Sequence, residues 1–216
     1  MAPPVRVVLN PASSSGKAAR LQARIEEILE ERGVDFELRQ TREPGHAVEL
    51  ARKAAQEGAE TIVAVGGDGT VHEIVAGLLG VPESSDAHAG RRDEPPVREL
   101  PSLLVVPVGT GNDFYRMVGA PRGPAAALEL LTTGRRRHFD VGVVRWDDGS
   151  RYFVNLLGVG VDVEVLRRRE GFGRLRGLAQ YLTALLVAIL RFRPFPVRVR
   201  LDDGEEVSRP AHLAAV

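Results

Sequence analysis

The first 135 residues of this chain alternate short apolar segments with longer segments in which apolar residues recur at helical spacing. The recurrence is clearest at Leu21, Ile25, Ile28 and Leu29, which share one face of a helix that Gly33 would end. Apolar strands separated by helices are typical of a parallel sheet covered on both faces. We predict strands at 5–9, 36–40, 61–65 and 103–108, and helices at 17–32, 46–57, 71–79, 113–118 and 123–132.

After Gly134 the pattern changes to short segments of the kind that form antiparallel strands. Two of them, 139–144 and 152–156, flank Asp147-Asp148-Gly149, which predicts a hairpin. The remaining predicted elements are a helix at 178–190, a strand at 195–201 before the turn Asp202-Asp203-Gly204, and a strand at 212–216.

We therefore predict an α/β fold in two parts. Residues 1–135 form a three-layer domain with a parallel sheet, and residues 136–216 form the first part of a β-rich, sandwich-like domain. The last predicted strand runs into Val216 without a stop signal, so we expect the second domain to be incomplete, with unpaired strand edges. Such edges leave association into a homodimer open. The polar, proline-containing segment 81–101 is predicted to be a loop.

Composition narrows the classes of function. The chain carries 29 Lys and Arg against 29 Asp and Glu, and this zero net charge argues against a general nucleic-acid binder. It has no cysteine, which excludes disulfides and thiolate metal sites. The first residues lack the apolar core of a secretion signal, so we expect a cytoplasmic protein.

The apolar stretch 178–190 is a candidate for membrane contact. Its 13 residues are too few to span a bilayer, which requires about 20. One interpretation is a buried or half-buried helix. The other is a helix on the membrane surface, where flanking arginines meet anionic lipid. Those arginines are Arg174, Arg176, Arg191 and Arg193.

The segment Gly66-Gly67-Asp68-Gly69-Thr70 lies between a predicted strand and a predicted helix. Glycines let the backbone approach an oxyanion closely, and the free amides and positive dipole end of the helix then face that anion. Asp68 adds a carboxylate that could hold Mg²⁺ or a proton. Two alternatives need no ligand: Thr70 and Glu73 could form a capping box, and glycine-rich turns occur in α/β proteins that bind nothing.

Three more polar loops follow predicted strands of the same sheet, and ligands of open parallel sheets bind at that edge. The loop 10–17 is rich in serine but is not a Walker A loop, because Pro11 replaces its first glycine and Ala18 its Ser or Thr. It could equally be an ordinary helix cap. Thr41 could bind a nucleotide or end a strand, and His46 at a helix start favours a structural role.

The fourth loop is Pro107-Val108-Gly109-Thr110-Gly111-Asn112-Asp113-Phe114. Asn112 can cap the next helix, and Asp113 fits a first-turn carboxylate. Arg116 could pair with Asp113 or with a phosphate. Four polar loops at one sheet edge together favour a phosphate donor as ligand.

These segments carry a family resemblance. Gly66–Thr70 has the GGDGT motif shared by phosphofructokinases, NAD kinases and diacylglycerol-type lipid kinases. The segment 107–116 resembles the more specific PxGTxNDFxR signature of the bacterial diacylglycerol kinase and sphingosine kinase-like catalytic domain. Similar segments cover nearly the whole chain: NPxS at 10–13, Thr41 with GHA at 45–47, GGDGTxxE at 66–73, FDVG at 139–142, FVNLLGVGVDVEV at 153–165, YLTALL at 181–186 and RPFPVRV at 193–199.

The resemblance implies an ATP-dependent kinase that transfers phosphate to a lipid hydroxyl, diacylglycerol or a related lipid, at the membrane surface. It implies ATP with Mg²⁺, an NAD kinase-like or phosphofructokinase-like first domain, and peripheral membrane association. Asp68 would be the catalytic carboxylate, since the matching aspartate is assigned as the base in sphingosine kinase-like members. Asp140 matches a position near the acceptor head group. The implied nucleotide contacts are Asn10, Pro11, Ala12, Ser13, Ser14, Thr41, Gly66, Gly67, Asp68, Gly69, Thr70, Val71, His72 and Thr110.

The chain departs from the family pattern at its end. Bacterial members carry a further catalytic acid, with Mg²⁺ ligands nearby, late in the second domain, and this sequence stops before those positions. The resemblance therefore also leaves open a nucleotide-binding module that is inactive as a fragment. An NAD kinase is a third interpretation, which the GTGNDF segment disfavours because it stands where an Asn-Glu motif is expected. The acceptor lipid and the metal ligands stay unassigned.

Overall fold

The computed structural model describes residues 4–80, 100–109, 111–161, 163–165, 167, 178–202 and 204–216, without the side chains of 178–182, 184 and 189. Most of the predicted loop 81–101, Thr110, Arg174 and Arg176 lie outside this description. The described elements are β1 Val5–Leu9, α1 Ser13–Glu31, β2 Phe36–Gln40, α2 His46–Gln56, β3 Thr61–Gly66, α3 Asp68–Leu79, β4 Ser102–Pro107, α4 Asp113–Val118, α5 Pro124–Thr133, β5 Gly142–Trp146, β6 Gly149–Phe153, β7 Gly158–Gly160, a helix Leu178–Arg191 (α6), β8 Phe195–Val199, β9 Val207–Ala211 and β10 Leu213–Ala215.

The first four strands form one parallel sheet in the order β2-β1-β3-β4. Leu9 is paired with Gln40 on one side and with Val65 on the other, and Val65 is paired with Val106. The carboxyl ends of all four strands therefore lie at one edge. The order reverses between β1 and β3, which is where open α/β sheets bind their ligands.

Two apolar cores cover the two faces of this sheet. One joins α2, α3 and α4 to Val8, Ile62 and Ala64, and the other joins α1 and α5 to Val7 and Val63. Because side chains alternate along a strand, neighbours such as Val7 and Val8 face opposite cores. The predicted three-layer α/β architecture is thus confirmed.

One charged side chain lies inside this apolar region. Arg6 on β1 is only 4% exposed, and its guanidinium reaches Glu57 Oε2 at 3.0 Å and Glu37 Oε2 at 3.2 Å. The hydrogen bond from Arg6 lowers the pKa of the Glu57 carboxyl. The two carboxylates compensate the burial of the arginine, as a buried charge requires.

The chain divides into two compact units, 1–155 and 156–216, whereas the sequence pattern placed the change after Gly134. The predicted hairpin is present as β5–β6 and belongs to the first unit, but Gly149, predicted to lie in the turn, is paired with Trp146 as the first residue of β6. Val141 and Val154, which flank the hairpin, pack against the core that contains α3. The hairpin is therefore tied to the helix that follows the GGDGT strand.

The second unit contains two small antiparallel sheets, β7 with β10 and β8 with β9. Val165 and Ala188 form its small buried core. Leu186 and Leu190 on α6 are 59% and 75% exposed. No helix among the described residues has both the length and the apolar character needed to cross a membrane.

Candidate functional site

Backbone hydrogen bonds join the loops at the carboxyl edge of the sheet. The Asn10 amide donates to Val65 O at 2.9 Å, the Thr41 amide to Leu9 O at 2.8 Å, and the Val108 amide to Gly66 O at 2.8 Å. The first residues beyond β1, β2 and β4 are therefore each bonded to the end of a neighbouring strand. The four polar loops singled out from the sequence converge here.

Asn10 links the loops that follow β1 and β3. Its Nδ2 donates to Thr70 Oγ1 at 3.1 Å, while its Oδ1 accepts from the Ala12 amide at 3.1 Å. Thr70 is only 4% exposed, so this contact is well shielded from water. Both functional groups of the Asn10 amide are thus used to shape the β1 loop and to fix it to the start of α3.

The backbone of the β1 loop is strained directly before the regular part of α1. Ser14, Ser15 and Gly16 all have left-handed conformations, with φ of 51°, 55° and 83°. The right-handed helix therefore begins at Lys17, as the sequence predicted. Left-handed serine costs about 1–2 kcal/mol, and strain of this kind tends to accumulate at functional sites.

Ser15→Gly should raise the free energy of unfolding by about 0.5–1 kcal/mol, because glycine removes the left-handed penalty but costs backbone entropy. Ala19→Gly, at an exposed position in the regular helix, should lower it by about 1 kcal/mol. Urea unfolding of both variants measures this. A loss of stability in Ser15→Gly would contradict the strained loop conformation.

The glycines of the β3 and β4 loops differ in what surrounds them. A Cβ on Gly66 would lie 2.4 Å from Thr70 Oγ1, and a Cβ on Gly109 would lie 2.5 Å from Gly67 Cα. Gly66 thus makes room for the Thr70 side chain, and Gly109 lets the loop after β4 pack against the loop after β3. A Cβ on Gly69, in contrast, would meet no atom of the described residues within 4 Å apart from its chain neighbours and the backbone of its own helix, so Gly69 borders open space in the first turn of α3.

The predicted capping box is wrong. The N-cap of α3 is Gly67, which offers no side chain, and Thr70 lies inside the helix with its hydroxyl bonded to Asn10. Glu73 Oε2 instead accepts from the Ala47 amide of α2 at 3.3 Å. Both side chains therefore bond to residues distant in the chain instead of to the start of their own helix.

Asp68 connects the β3 loop to α4. Its Oδ1 accepts from the Phe114 amide at 3.0 Å, and its Oδ2 would lie 3.0 Å from a Cβ on Gly111. Asp68 thus supplies the N-terminal cap of α4, a helix that it precedes by some 45 residues. No local sequence signal indicates this role.

Asn112 occupies the N-cap position of α4 but does not cap it with its side chain. It has a left-handed backbone with φ of 54°, and its Nδ2 donates to Gly109 O at 2.6 Å. Its Oδ1 is buried without a hydrogen-bond partner in the described part of the chain, as is the Tyr115 hydroxyl. The predicted pair of Arg116 with Asp113 is present at 3.2 Å.

The loop after β2 is closed by a histidine. His46 Nδ1 accepts from the Arg42 amide at 3.1 Å, which gives His46 the structural role that the sequence favoured. Thr41, at the start of this loop, is 8% exposed. Its backbone bond to Leu9 places it next to Asn10.

His72 lies on α3 beside the hairpin. Partial burial lowers its pKa, the Arg151 charge on β6 lowers it further, and Glu73 opposes both effects. A pKa below the usual 6.5 keeps His72 neutral at pH 7.

Most residues predicted for nucleotide contact therefore lie on converging loops of one unit. Thr110 is outside the described residues. Asp140 is exposed on the connection before β5, and the ring of its neighbour Phe139 lies 6.0 Å from that of Phe114 on α4. The roles of Asp68, Asp140 and the loop residues stay predictions.

The sequence matches the family model described as diacylglycerol kinase catalytic domain over residues 4–144. The chain belongs to this family. The resemblance based on the GGDGT and GTGNDF segments is thereby confirmed, and NAD kinase is disfavoured. The family match ends inside the β5–β6 hairpin, within the first compact unit.

Similar proteins extend the likeness along the chain. A "probable lipid kinase YegS-like" of Chromohalobacter salexigens is 31% identical over 194 residues, which are 88% of this chain and 57% of that protein. A diacylglycerol kinase of Mycobacterium tuberculosis is 29% identical over 97% of this chain and 63% of its own length.

A crystal structure of a diacylglycerol kinase from Bacillus anthracis superposes with a TM-score of 0.68 at 27% identity, covering 98% of this chain and 62% of that one. The α/β fold followed by small antiparallel sheets is therefore shared. The chain spans less than two-thirds of the length of these relatives.

Proposed function

We propose that this chain carries the nucleotide site of an ATP-dependent lipid kinase, which transfers the γ-phosphate to the hydroxyl of diacylglycerol or a related lipid. The observation that carries the proposal is Gly69. It borders open space in the first turn of α3, at the reversal point of the sheet, whereas its neighbours Gly66 and Gly67 border protein atoms. A glycine that protein packing does not require is explained by the close approach of a ligand.

The charge pattern at this point suits phosphate. The Thr70 and Val71 amides both donate to Gly67 O, so the Asp68 and Gly69 amides precede the first bond of the helix. They and the positive end of the α3 dipole would bind phosphate oxygens. Asn10 holds this helix start against the β1 loop, and neutral His72 adds no charge.

The side-chain oxygens near Gly111 are suitable ligands for a Mg²⁺ ion that arrives with the nucleotide. Mg²⁺ in kinase sites is held by one or two carboxylates together with phosphates and water. Asp68 Oδ2 borders Gly111, the Asn112 Oδ1 is a buried acceptor without a partner among the described residues, and those residues contain no cluster of three or more His, Asp or Glu that could hold a metal alone. The Asn112 oxygen, phosphate oxygens and water would hold the ion, which would neutralise phosphate charge, and Asp68 Oδ2 would stay free to accept a proton.

The acceptor side of the reaction needs a proton acceptor and a lipid contact. The lipid oxygen bonds to the γ-phosphorus, the bond from that phosphorus to the bridging oxygen breaks, and ADP leaves. Asp68 Oδ2 accepts the hydroxyl proton, since Oδ1 is engaged by the Phe114 amide. Asp140 contacts the lipid head group from the segment that Phe139 anchors to α4.

The lipid substrate implies contact with a membrane surface. On α6, Leu186 and Leu190 are one turn apart and exposed, and exposed Arg191 and Arg193 follow them. Such a helix end suits peripheral binding to anionic lipid.

Replacing Leu186 and Leu190 by Ser should weaken binding to phosphatidylglycerol-rich vesicles at least about tenfold, through loss of buried apolar area. Leu201→Ser is the matched control, because Leu201 is as exposed as Leu190, at 75%. Vesicle sedimentation measures both. Equal loss in the control, or no loss in the pair, would contradict membrane contact by α6.

The second candidate is a nucleotide-binding module that does not transfer phosphate. It is favoured because this chain spans less than two-thirds of the length of its relatives. The test is transfer of labelled γ-phosphate from Mg·ATP into the organic phase of diacylglycerol and sphingosine micelles. The 216-residue chain is assayed beside a positive control, the diacylglycerol kinase of Mycobacterium tuberculosis. Label in the organic phase supports the lipid kinase. Thermal stabilisation of this chain by Mg·ATP without label transfer, while the control transfers label, favours the inactive module.

A further inference from the structure

Helices α2 and α3 pack too closely for any side chain at Gly77. A Cβ there would lie 2.3 Å from Val48 O and 2.9 Å from the Ala51 side chain. Glu73 precedes Gly77 by four residues, so both lie on the face of α3 that meets α2. The position of α2 is therefore set by close contact with the helix that begins in the GGDGT segment.

The start of α2 has no cap of its own. Its N-cap residue Gly45 is left-handed, with φ of 89°, and makes no side-chain cap. The half-buried Glu73 fills this role, since its Oε2 accepts from the Ala47 amide at 3.3 Å. A carboxylate at this position both satisfies an orphan amide and complements the positive end of the α2 dipole.

The loop between β2 and α2 is consequently fixed at both ends by parts of the proposed nucleotide site. At its start, the Thr41 amide donates to Leu9 O at 2.8 Å, next to Asn10. At its end, Glu73 of α3 holds the first turn of α2. Between these ends, His46 accepts a hydrogen bond from the Arg42 amide and donates its own amide to Glu43 O. A shift of α2 would thus be transmitted to Thr41 through a short, hydrogen-bonded segment.

We infer that Glu73 is a positioning residue for the nucleotide: by capping α2 it keeps Thr41 in place beside Asn10. This inference rests on the proposed nucleotide site. Glu73 does not touch the ligand, and its effect passes through the Ala47 amide and the loop that carries Thr41. The requirement is an acceptor oxygen at the correct reach, and charge is secondary.

The test is a double-mutant cycle of Glu73→Ala and Thr41→Ala. Calorimetry on the full chain measures the Kd of Mg·ATP for wild type, both single variants and the double variant. Glu73→Ala should raise Kd about tenfold, and the double variant should bind no more weakly than Thr41→Ala alone, because the two residues act in series. Glu73→Gln should stay within about threefold of wild type, since its Oε1 can still accept from Ala47.

Two variants separate reach from charge. Glu73→Asp keeps the charge but is one methylene too short, so it should bind Mg·ATP as weakly as Glu73→Ala. Glu49→Ala removes another carboxylate from the first turn of α2 without releasing the Ala47 amide, and should leave Kd unchanged. Glu73→Asp and Glu73→Gln also provide the test if Glu73→Ala does not fold.

The outcomes are distinct. Wild-type Kd in folded Glu73→Ala or Glu73→Asp would overturn the inference and leave the proposed nucleotide site intact. Additive losses in the double variant would also overturn it, since they mean that Glu73 does not act through Thr41. Wild-type protein that binds no Mg·ATP would overturn the proposed function and this inference together.

Discussion

Gly69→Ala should abolish most of the Mg·ATP binding of this chain while leaving its folded state as stable as before or slightly more stable. The added methyl group meets no described atom within 4 Å beyond its chain neighbours and its own helix backbone, so tertiary packing does not oppose it. Within a helix, alanine is favoured over glycine by about 0.5–1 kcal/mol. The methyl group would instead occupy the space that the phosphates need.

The expected loss of affinity follows from the penalty for overfilling a packed site. That penalty is about 1–3 kcal/mol, which corresponds to a factor between roughly 5 and 150 in Kd. Calorimetry with Mg·ATP gives the affinity, and urea unfolding gives the stability. The combination of lost binding with retained stability is the result that a purely structural glycine cannot produce.

Gly66→Ala is the matched control. Its methyl group would lie 2.4 Å from Thr70 Oγ1, so this variant should lose about 1–3 kcal/mol of stability as well as affinity. Normal affinity in Gly69→Ala would contradict phosphate binding at the first turn of α3. A loss of stability in Gly69→Ala comparable to that of Gly66→Ala would indicate that packing, and not a ligand, requires the glycine.

Comparison of two substitutions at Asp68 should separate its capping function from its catalytic function. Asp68→Asn retains an oxygen that can accept from the Phe114 amide, so its melting temperature should match wild type. Its phosphoryl transfer should fall by about 10²–10⁴, the usual contribution of a general base. Asp68→Ala should lose the same activity and, in addition, about 1 kcal/mol of stability, the usual value of a helix cap.

The measurements are transfer of label from Mg·ATP to diacylglycerol and thermal unfolding of each variant. Asp113→Asn is the control, because it removes a neighbouring carboxylate that is 60% exposed and paired with Arg116. Such surface pairs contribute little, so its stability and activity should stay close to wild type. Full activity in Asp68→Asn would remove Asp68 from the chemistry and leave it as the cap of α4.

Thr70, Glu73 and Asn112 illustrate why local sequence signals mislead at this site. Thr70 and Glu73 have the spacing of a capping box, and Asn112 stands where an N-cap is expected. In the structure all three side chains bond elsewhere: Thr70 and Glu73 bond to Asn10 and Ala47, which are distant in the chain. Asn112 bonds to Gly109 within its own loop. A local rule describes a helix in isolation, whereas these helix starts meet at one crowded sheet edge.

The sequence pattern alone predicted the four parallel strands, the helices around them and the class of sheet, because strand and helix periodicities are local and apolar strands must be covered on both faces. It did not predict β7 or β9 in the second unit. It also determined the family, since GGDGT and GTGNDF are contiguous segments. The strand order, the cap that Asp68 gives to α4 and the hydrogen bond from the Ala47 amide to Glu73 are seen only in the folded chain. These contacts join residues 26 to 46 positions apart, and they form only when neighbouring strands bring their loops to the same edge.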